Sequence, residues 1–206
     1  MKKEIYIFGS TVRGEVASNS DIDVLVITDL ENRRSHFPDE WSVYSFQAIS
    51  DFYDSGRLFA WHLHLDSKCI YKDKNESFLD SLGSPAPYSN LECDFESLKE
   101  ILTQSLDEIE KGTASLVFEV GIAYTAIRDL AMIASTKSLN RPCFSRYSPY
   151  LLYNKFPIEK SIYEKMICAR LASTRGVSIS KEDIVQISEL PTYKIRSWLN
   201  ELESIL

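Results

Sequence analysis

The sequence predicts an α+β chain in two parts: an N-terminal unit in which strands and helices alternate, and a C-terminal half that is helical throughout. Three observations point there. The first third carries short apolar runs of strand length. A stretch rich in prolines and turn formers, Leu82-Gly83-Ser84-Pro85-Ala86-Pro87-Tyr88-Ser89-Asn90, then interrupts the chain. From Leu91 onward apolar residues recur at helical spacing. The boundary falls in that stretch, with residues 1–83 as one domain and residues 91–206 as the other. At 206 residues and 44% hydrophobic content, the chain can bury a core in each of two units of about 100 residues.

In order, Glu4 to Phe8, Ile22 to Thr28 and Trp41 to Phe46 read as strands, because they are short, rich in β-branched and aromatic residues, and bounded by turn formers. A helix is expected from about Ala48 to His64, with Phe52, Leu58, Phe59 and Leu63 on its apolar side despite Gly56. Lys68 to Lys72 reads as a last short strand. Beyond the proline-rich stretch, amphipathic helices are expected over Leu91 to Lys111, Ala114 to Thr136, Ile158 to Thr174, Lys181 to Glu189 and Thr192 to Leu206. Gly112, Pro142, Pro149, Pro157, Gly176 and Pro191 punctuate them.

Chemistry concentrates near the N-terminus. Phe8-Gly9-Ser10-Thr11-Val12-Arg13-Gly14 is followed after a short polar stretch by Ser20-Asp21-Ile22-Asp23-Val24-Leu25-Val26. Alternation along a strand puts Asp21 and Asp23 on one face, with Ile22, Val24 and Val26 in the packing around them. Like charges held that close repel unless a divalent cation takes oxygen ligands from both, and Mg2+ is the expected ion, with Mn2+ as a substitute. Glycine at the turn lets backbone approach a ligand, and the amides of Gly9-Ser10 and of a helix beginning near Thr11 would face a polyphosphate.

These residues resemble the nucleotidyltransferase superfamily typified by DNA polymerase beta. Its signature is an apolar residue, Gly-Ser or Gly-Gly, a spacer of about ten residues, and Asp-x-Asp or Asp-x-Glu in a strand. Arg13-Gly14 and Ser20 also match its small prokaryotic branch, the minimal nucleotidyltransferases. The resemblance implies a mixed sheet with flanking helices and a cytoplasmic Mg-dependent enzyme that moves a nucleotide from an NTP or dNTP to an acceptor hydroxyl. Gly9 and Ser10, with Arg13 as a further contact, would bind the nucleotide, while Asp21 and Asp23 would act as catalytic metal ligands. It implies an acceptor of one of three kinds: a growing oligonucleotide, a protein such as a toxin or effector, or a small molecule. Antiviral defence and toxin–antitoxin systems are the settings of such relatives.

Relatives carry a third carboxylate in the third strand, where this chain has Val43-Tyr44-Ser45-Phe46, and Tyr44 stands at the matching position. A neutral phenol is neither a metal ligand nor a base near neutral pH. Three explanations stay open: Asp39, Glu40 or Asp66 supplies the acid; two carboxylates suffice with water and phosphate oxygens; or catalysis is weakened. The last also leaves a noncatalytic, antitoxin-like or regulatory binding protein as an alternative. His62 and His64, two apart on a helix, would not face the same way, so structural roles are expected unless one touches acceptor or polyphosphate.

In the helical half, Tyr124 and Arg128 lie four apart on one helix face, and Cys143-Phe144-Ser145-Arg146-Tyr147-Ser148-Pro149 reads as a basic-aromatic loop. Stacking and a guanidinium fork there would hold a base and a phosphate, so Tyr124 and Arg128 are candidate nucleotide-binding residues, set against a salt-bridge or packing role for Arg128. Arg141 and Tyr150 extend the same aromatic and basic set, with the site expected between the two domains. The half resembles the substrate-binding bundle of kanamycin nucleotidyltransferase and HEPN-like proteins. The HEPN ribonuclease motif, arginine followed by histidine, has no histidine after Arg128 to complete it.

The formal net charge of −7 argues against a broad electrostatic grip on duplex nucleic acid. Four scattered cysteines show no paired ligand spacing and are expected to be buried or partly buried thiols. No basic leader with an apolar core and no apolar run of about 18 residues is present, which fits the cytoplasmic expectation.

Overall fold

The computed structural model describes residues 2–16, 21–31, 33–73 and 75–205, so Ser20 of the motif lies outside the described residues. The chain divides into two compact units, Met1–Asn90 and Leu91–Leu206.

The first unit is built on a four-stranded sheet of β1 (Lys3–Phe8), β2 (Asp23–Thr28), β3 (Ser42–Tyr44) and β4 (Ser67–Lys72) in the order β3-β2-β1-β4. β1 runs antiparallel to both β2 and β4, whereas β2 and β3 are parallel, so the sheet is mixed. Tyr6, Phe8, Leu25 and Ile27 alternate onto one face, the periodicity of two that strand geometry dictates. Ile49 and Tyr53 of α1 (Phe46–Asp54), Ala60 and Leu63 of α2 (Leu58–Asp66) and Leu79 of α3 (Phe78–Leu82) pack against that face. α3 is pinned to the sheet by buried Glu4, which accepts from the Tyr6 hydroxyl at 2.5 Å and from the Phe78 amide at 2.7 Å. Burial, and then the Glu4 carboxylate, push the Tyr6 phenol far above its ordinary range, so it stays a donor.

Three expectations need correction. The strand expected to Phe46 stops at Tyr44, because the Ser45 hydroxyl accepts from the Ala48 amide at 3.1 Å and caps α1. The single helix expected over Ala48 to His64 is two helices, broken at Ser55-Gly56. Gly56 adopts φ +63°, and a Cβ there would stand 2.3 Å from the Pro87 carbonyl oxygen. The proline-rich stretch folds back onto this break: the Ala86 amide donates to Tyr53 O at 2.9 Å, and Trp61 Nε1 donates to Ala86 O at 3.0 Å. It is therefore part of the first unit. Of the thiols, Cys93 and Cys168 are exposed rather than buried, and all four cysteines are free.

The second unit contains α4 (Leu91–Glu110), α5 (Leu116–Ser138), α6 (Lys160–Arg175), α7 (Lys181–Ser188) and α8 (Thr192–Glu203). α5 packs against α4, α6 and α7. Gly121 makes the α5–α6 approach feasible, since a Cβ there would meet Arg170 Cα at 3.0 Å and Ser173 Oγ at 2.9 Å. Fully buried Tyr163 gathers Tyr124, Tyr150 and Phe156 around its ring at centroid distances of 5.3, 5.2 and 5.7 Å. Among the described residues no helix is long and apolar enough to cross a membrane.

Gly56→Ala is expected to lower stability by about 2 kcal/mol or more, combining a left-handed backbone with a clash against fixed backbone. Urea unfolding of the purified variant checks this; an unchanged midpoint would mean that the break tolerates a side chain.

Candidate functional site

The β1–β2 register sets the site. Phe8, the last residue of β1, faces Asp23, the first of β2. The chain leaves β1 through buried Gly9 at φ +77° and makes a single 3-10 turn over Gly9–Thr11. A Cβ on Gly9 would stand 2.6 Å from Asp23 Oδ2 and 3.8 Å from His62 Cε1. The carboxylate thus occupies the space that only a glycine leaves open.

The turn is closed by its own backbone. The amides of Val12 and Arg13 donate to Gly9 O at 3.1 and 3.3 Å, and the Glu15 amide donates to Ser10 O at 2.9 Å. No helix begins at Thr11, contrary to expectation: Gly14 at φ +73° follows in a turn, and Arg13 sits on that turn rather than on a helix. Asp21 lies just ahead of β2 and is exposed; its carbonyl accepts from Thr11 Oγ1 at 3.4 Å, tying the acidic segment to the glycine turn. Ile22 is exposed rather than packed, because β2 starts one residue later than expected, while Val26 is buried.

α2 contributes the other side. Arg13 Nη1 donates to Asp66 Oδ2 at 2.8 Å and lies 3.3 Å from His62 Nε2, while its Nε and Nη2 reach Glu15 Oε2 at 3.3 Å each. His62 and Asp66 are one turn apart on α2, with Nε2 and Oδ2 separated by 3.7 Å. The His62 ring stands edge-on to Phe8 at 5.5 Å. His64 points elsewhere, toward Trp61 and Ser84 Oγ. The histidines therefore part as helical geometry requires, and His62 is the one beside the glycine turn.

Tyr44 packs its ring against Phe52 and Phe59 at 5.4 and 5.7 Å and is partly buried against the apolar core. Asp39 and Glu40 are exposed in the turn before β3. Among the described residues no group of three or more His, Cys, Asp or Glu is close enough to hold a metal, so none of Asp39, Glu40 and Asp66 completes a triad with Asp21 and Asp23.

Tyr124 and Arg128 stand on α5 in the second unit. Tyr124 is buried against Tyr163, and burial pushes its phenol above the ordinary range. Arg128 lies over the Tyr124 ring at 6.0 Å and pairs with Asp129 at 2.8 Å. Arg146 gives its carbonyl to the Tyr163 hydroxyl at 2.8 Å, and Lys160 Nζ lies 4.2 Å above the Tyr147 ring.

The model of the nucleotidyltransferase domain matches residues 2–110, more than half of the chain and all of the site around Gly9. The chain belongs to the nucleotidyltransferase domain family. The match runs through α4, past the sheet unit. Among solved structures, the chain is similar to spectinomycin adenyltransferase AAD(9) from Enterococcus faecialis, determined with ATP and spectinomycin. The TM-score is 0.50 and the identity 14%, over 97% of this chain and 91% of that one. That likeness supports the α+β nucleotidyltransferase fold. No curated protein sequence matches the chain.

The donor set of this chain fits the divalent ion its family implies: Asp21 and Asp23 offer only hard carboxylate oxygens, as Mg2+ prefers. The bare Cα of Gly9 keeps one face of the Asp23 carboxylate from being filled by a side chain. Sequence reasoning missed the link between Arg13 and α2. Its signal is the i, i+4 spacing of His62 and Asp66, which a helix ending at His64 leaves out.

Gly9→Ala is expected to leave the chain folded at a cost of about 1–2 kcal/mol for the left-handed backbone. It should weaken Mn2+ binding by displacing Asp23. Thermal unfolding and electron paramagnetic resonance titration of Mn2+ check both, and undiminished Mn2+ affinity would contradict the close approach of turn and carboxylate.

Proposed function

We propose that the protein transfers a nucleotide from an NTP or dNTP to an acceptor hydroxyl, releasing pyrophosphate. The observation that carries this reading is the Asp23 carboxylate lying over a side-chain-free turn at Gly9, with Asp21 two residues away. Gly9 and Ser10 bring backbone within reach of the polyphosphate, and Arg13 adds a charged donor beside it. Asp21 and Asp23 would hold Mg2+, which when bound supplies charge stabilisation at the attacking and leaving oxygens. The acceptor oxygen bonds to the α-phosphorus as the α–β bridge bond breaks; pyrophosphate and the hydroxyl proton leave. Positioning by the turn contributes much of the rate. The ATP in the neighbour's structure supports a nucleoside triphosphate donor, and its spectinomycin supports a small-molecule acceptor alongside the oligonucleotide and protein acceptors.

A second reading, a noncatalytic protein that binds nucleotide in a regulatory or antitoxin-like role, is favoured by one observation. Tyr44 fills the third-strand position, and no third acid gathers with Asp21 and Asp23 among the described residues.

Incubation with each labelled NTP and dNTP plus Mg2+ or Mn2+, with products resolved by size and the protein weighed intact, separates the two. Ladders mean polymerisation, a mass gain means transfer to the protein itself, and silence with every donor supports binding alone. Asp21→Ala and Asp23→Ala are expected to fold normally and lose transfer by about a hundredfold or more. Turnover retained in both would eliminate the two-carboxylate mechanism.

A further inference from the structure

Asp66 is the acid that packing brings nearest to the guanidinium beside the glycine turn, and its place is unusual for a surface carboxylate. Its side chain is only 14% exposed, Arg13 is 17% exposed, and Oδ2 lies 2.8 Å from Nη1. A charge-assisted bond between two groups shielded to that extent is stronger and more directional than an exposed pair. Glu15 holds the same guanidinium from the turn's own segment through Nε and Nη2. Arg13 is therefore gripped from two directions, by its own loop and by α2.

We infer that Asp66 is a positioning residue: through Arg13 it ties the glycine turn to α2 and fixes the guanidinium against a triphosphate bound there. It does not serve as the third carboxylate of a metal cage. The inference rests on the triphosphate reading above and adds to it the device that orders the turn. Three facts carry it. Asp66 directs Oδ2 at Arg13. It forms no metal-holding group with Asp21 and Asp23. His62, one turn earlier on α2, places Nε2 3.3 Å from Nη1 of the same guanidinium. Arginine carries five N–H donors, so a fork held by these groups still presents an N–H on Nη2 to a phosphate oxygen. A long side chain ordered before the ligand arrives removes a cost from binding.

Inorganic tripolyphosphate with Mg2+ isolates this contact from the base and the acceptor. Calorimetric titration of the full chain would compare wild type, Asp66→Asn, Arg13→Met and the double variant. Each single change is expected to weaken tripolyphosphate binding by about tenfold, and the double variant to be no weaker than Arg13→Met alone, the non-additivity of residues acting through one another. Mn2+ affinity without polyphosphate should stay within about twofold of wild type in Asp66→Asn but fall in Asp23→Asn. Asp66→Ser provides the same readouts with a smaller side chain if the amide does not fold. Additive losses, or an Asp66→Asn Mn2+ affinity that falls as in Asp23→Asn, overturn the positioning role. A wild-type chain that takes up no tripolyphosphate overturns the triphosphate reading itself.

Discussion

The contact that organises the first unit is the close approach of the Asp23 carboxylate to the bare Cα of Gly9. It follows from the register of β1 and β2, in which Phe8 faces Asp23. The core holds that register, because a slip of one residue would turn Tyr6, Phe8, Leu25 and Ile27 out of the face on which α1 and α2 pack. The site's geometry is thus secured by apolar burial several residues away, and the polar groups at the strand ends inherit their positions from it. Gly9 has a double constraint, since its φ of +77° is unfavourable to other residues and its missing Cβ is the space the carboxylate fills.

A helix interrupted at Gly56 gives α2 a direction of its own. The fold-back of Ala86 and Pro87 onto the break, with Trp61 Nε1 donating to Ala86 O, holds that direction. It aims His62 and Asp66 at Arg13. Had the helix run unbroken from α1, the i, i+4 pair would sit on a different azimuth and the glycine turn would lose its second anchor. The proline-rich stretch, which reads in sequence as a linker, is therefore one of the supports of the site.

Strand positions and the five long helices were legible because apolar periodicity survives packing. The turn at Gly9 ahead of the Asp23 strand was legible because that spacing is local. What was hidden depends on contacts distant in sequence. Ser45 is an unremarkable strand residue until its hydroxyl caps α1. Gly56 inside an apolar run signals a break only once Pro87 stands over it. Tyr124 and Arg128 share a helix face as expected, but the same stretch provides ring packing for Tyr163, and a sequence pattern does not separate a stacking surface from a core.

The charges around the turn place a further condition on the chemistry proposed. Asp23 lies against Gly9, Asp21 is two residues away in sequence, and Arg13 on the turn is shared between Glu15 and Asp66. A bare triphosphate entering that neighbourhood would meet the like charge of these carboxylates, and the chain as a whole carries −7. Attraction has to come with the ligand. On the proposed reading, a nucleotide that arrives complexed to a divalent ion would present positive charge to Asp21 and Asp23 while its phosphate oxygens met Arg13 and the backbone of the turn. On the proposed reading, the acidic surroundings would favour the metal complex over the free polyanion. In such an arrangement the ion's part in binding would come before its part in catalysis, and a third carboxylate would add affinity for the ion while deepening the repulsion of the phosphate.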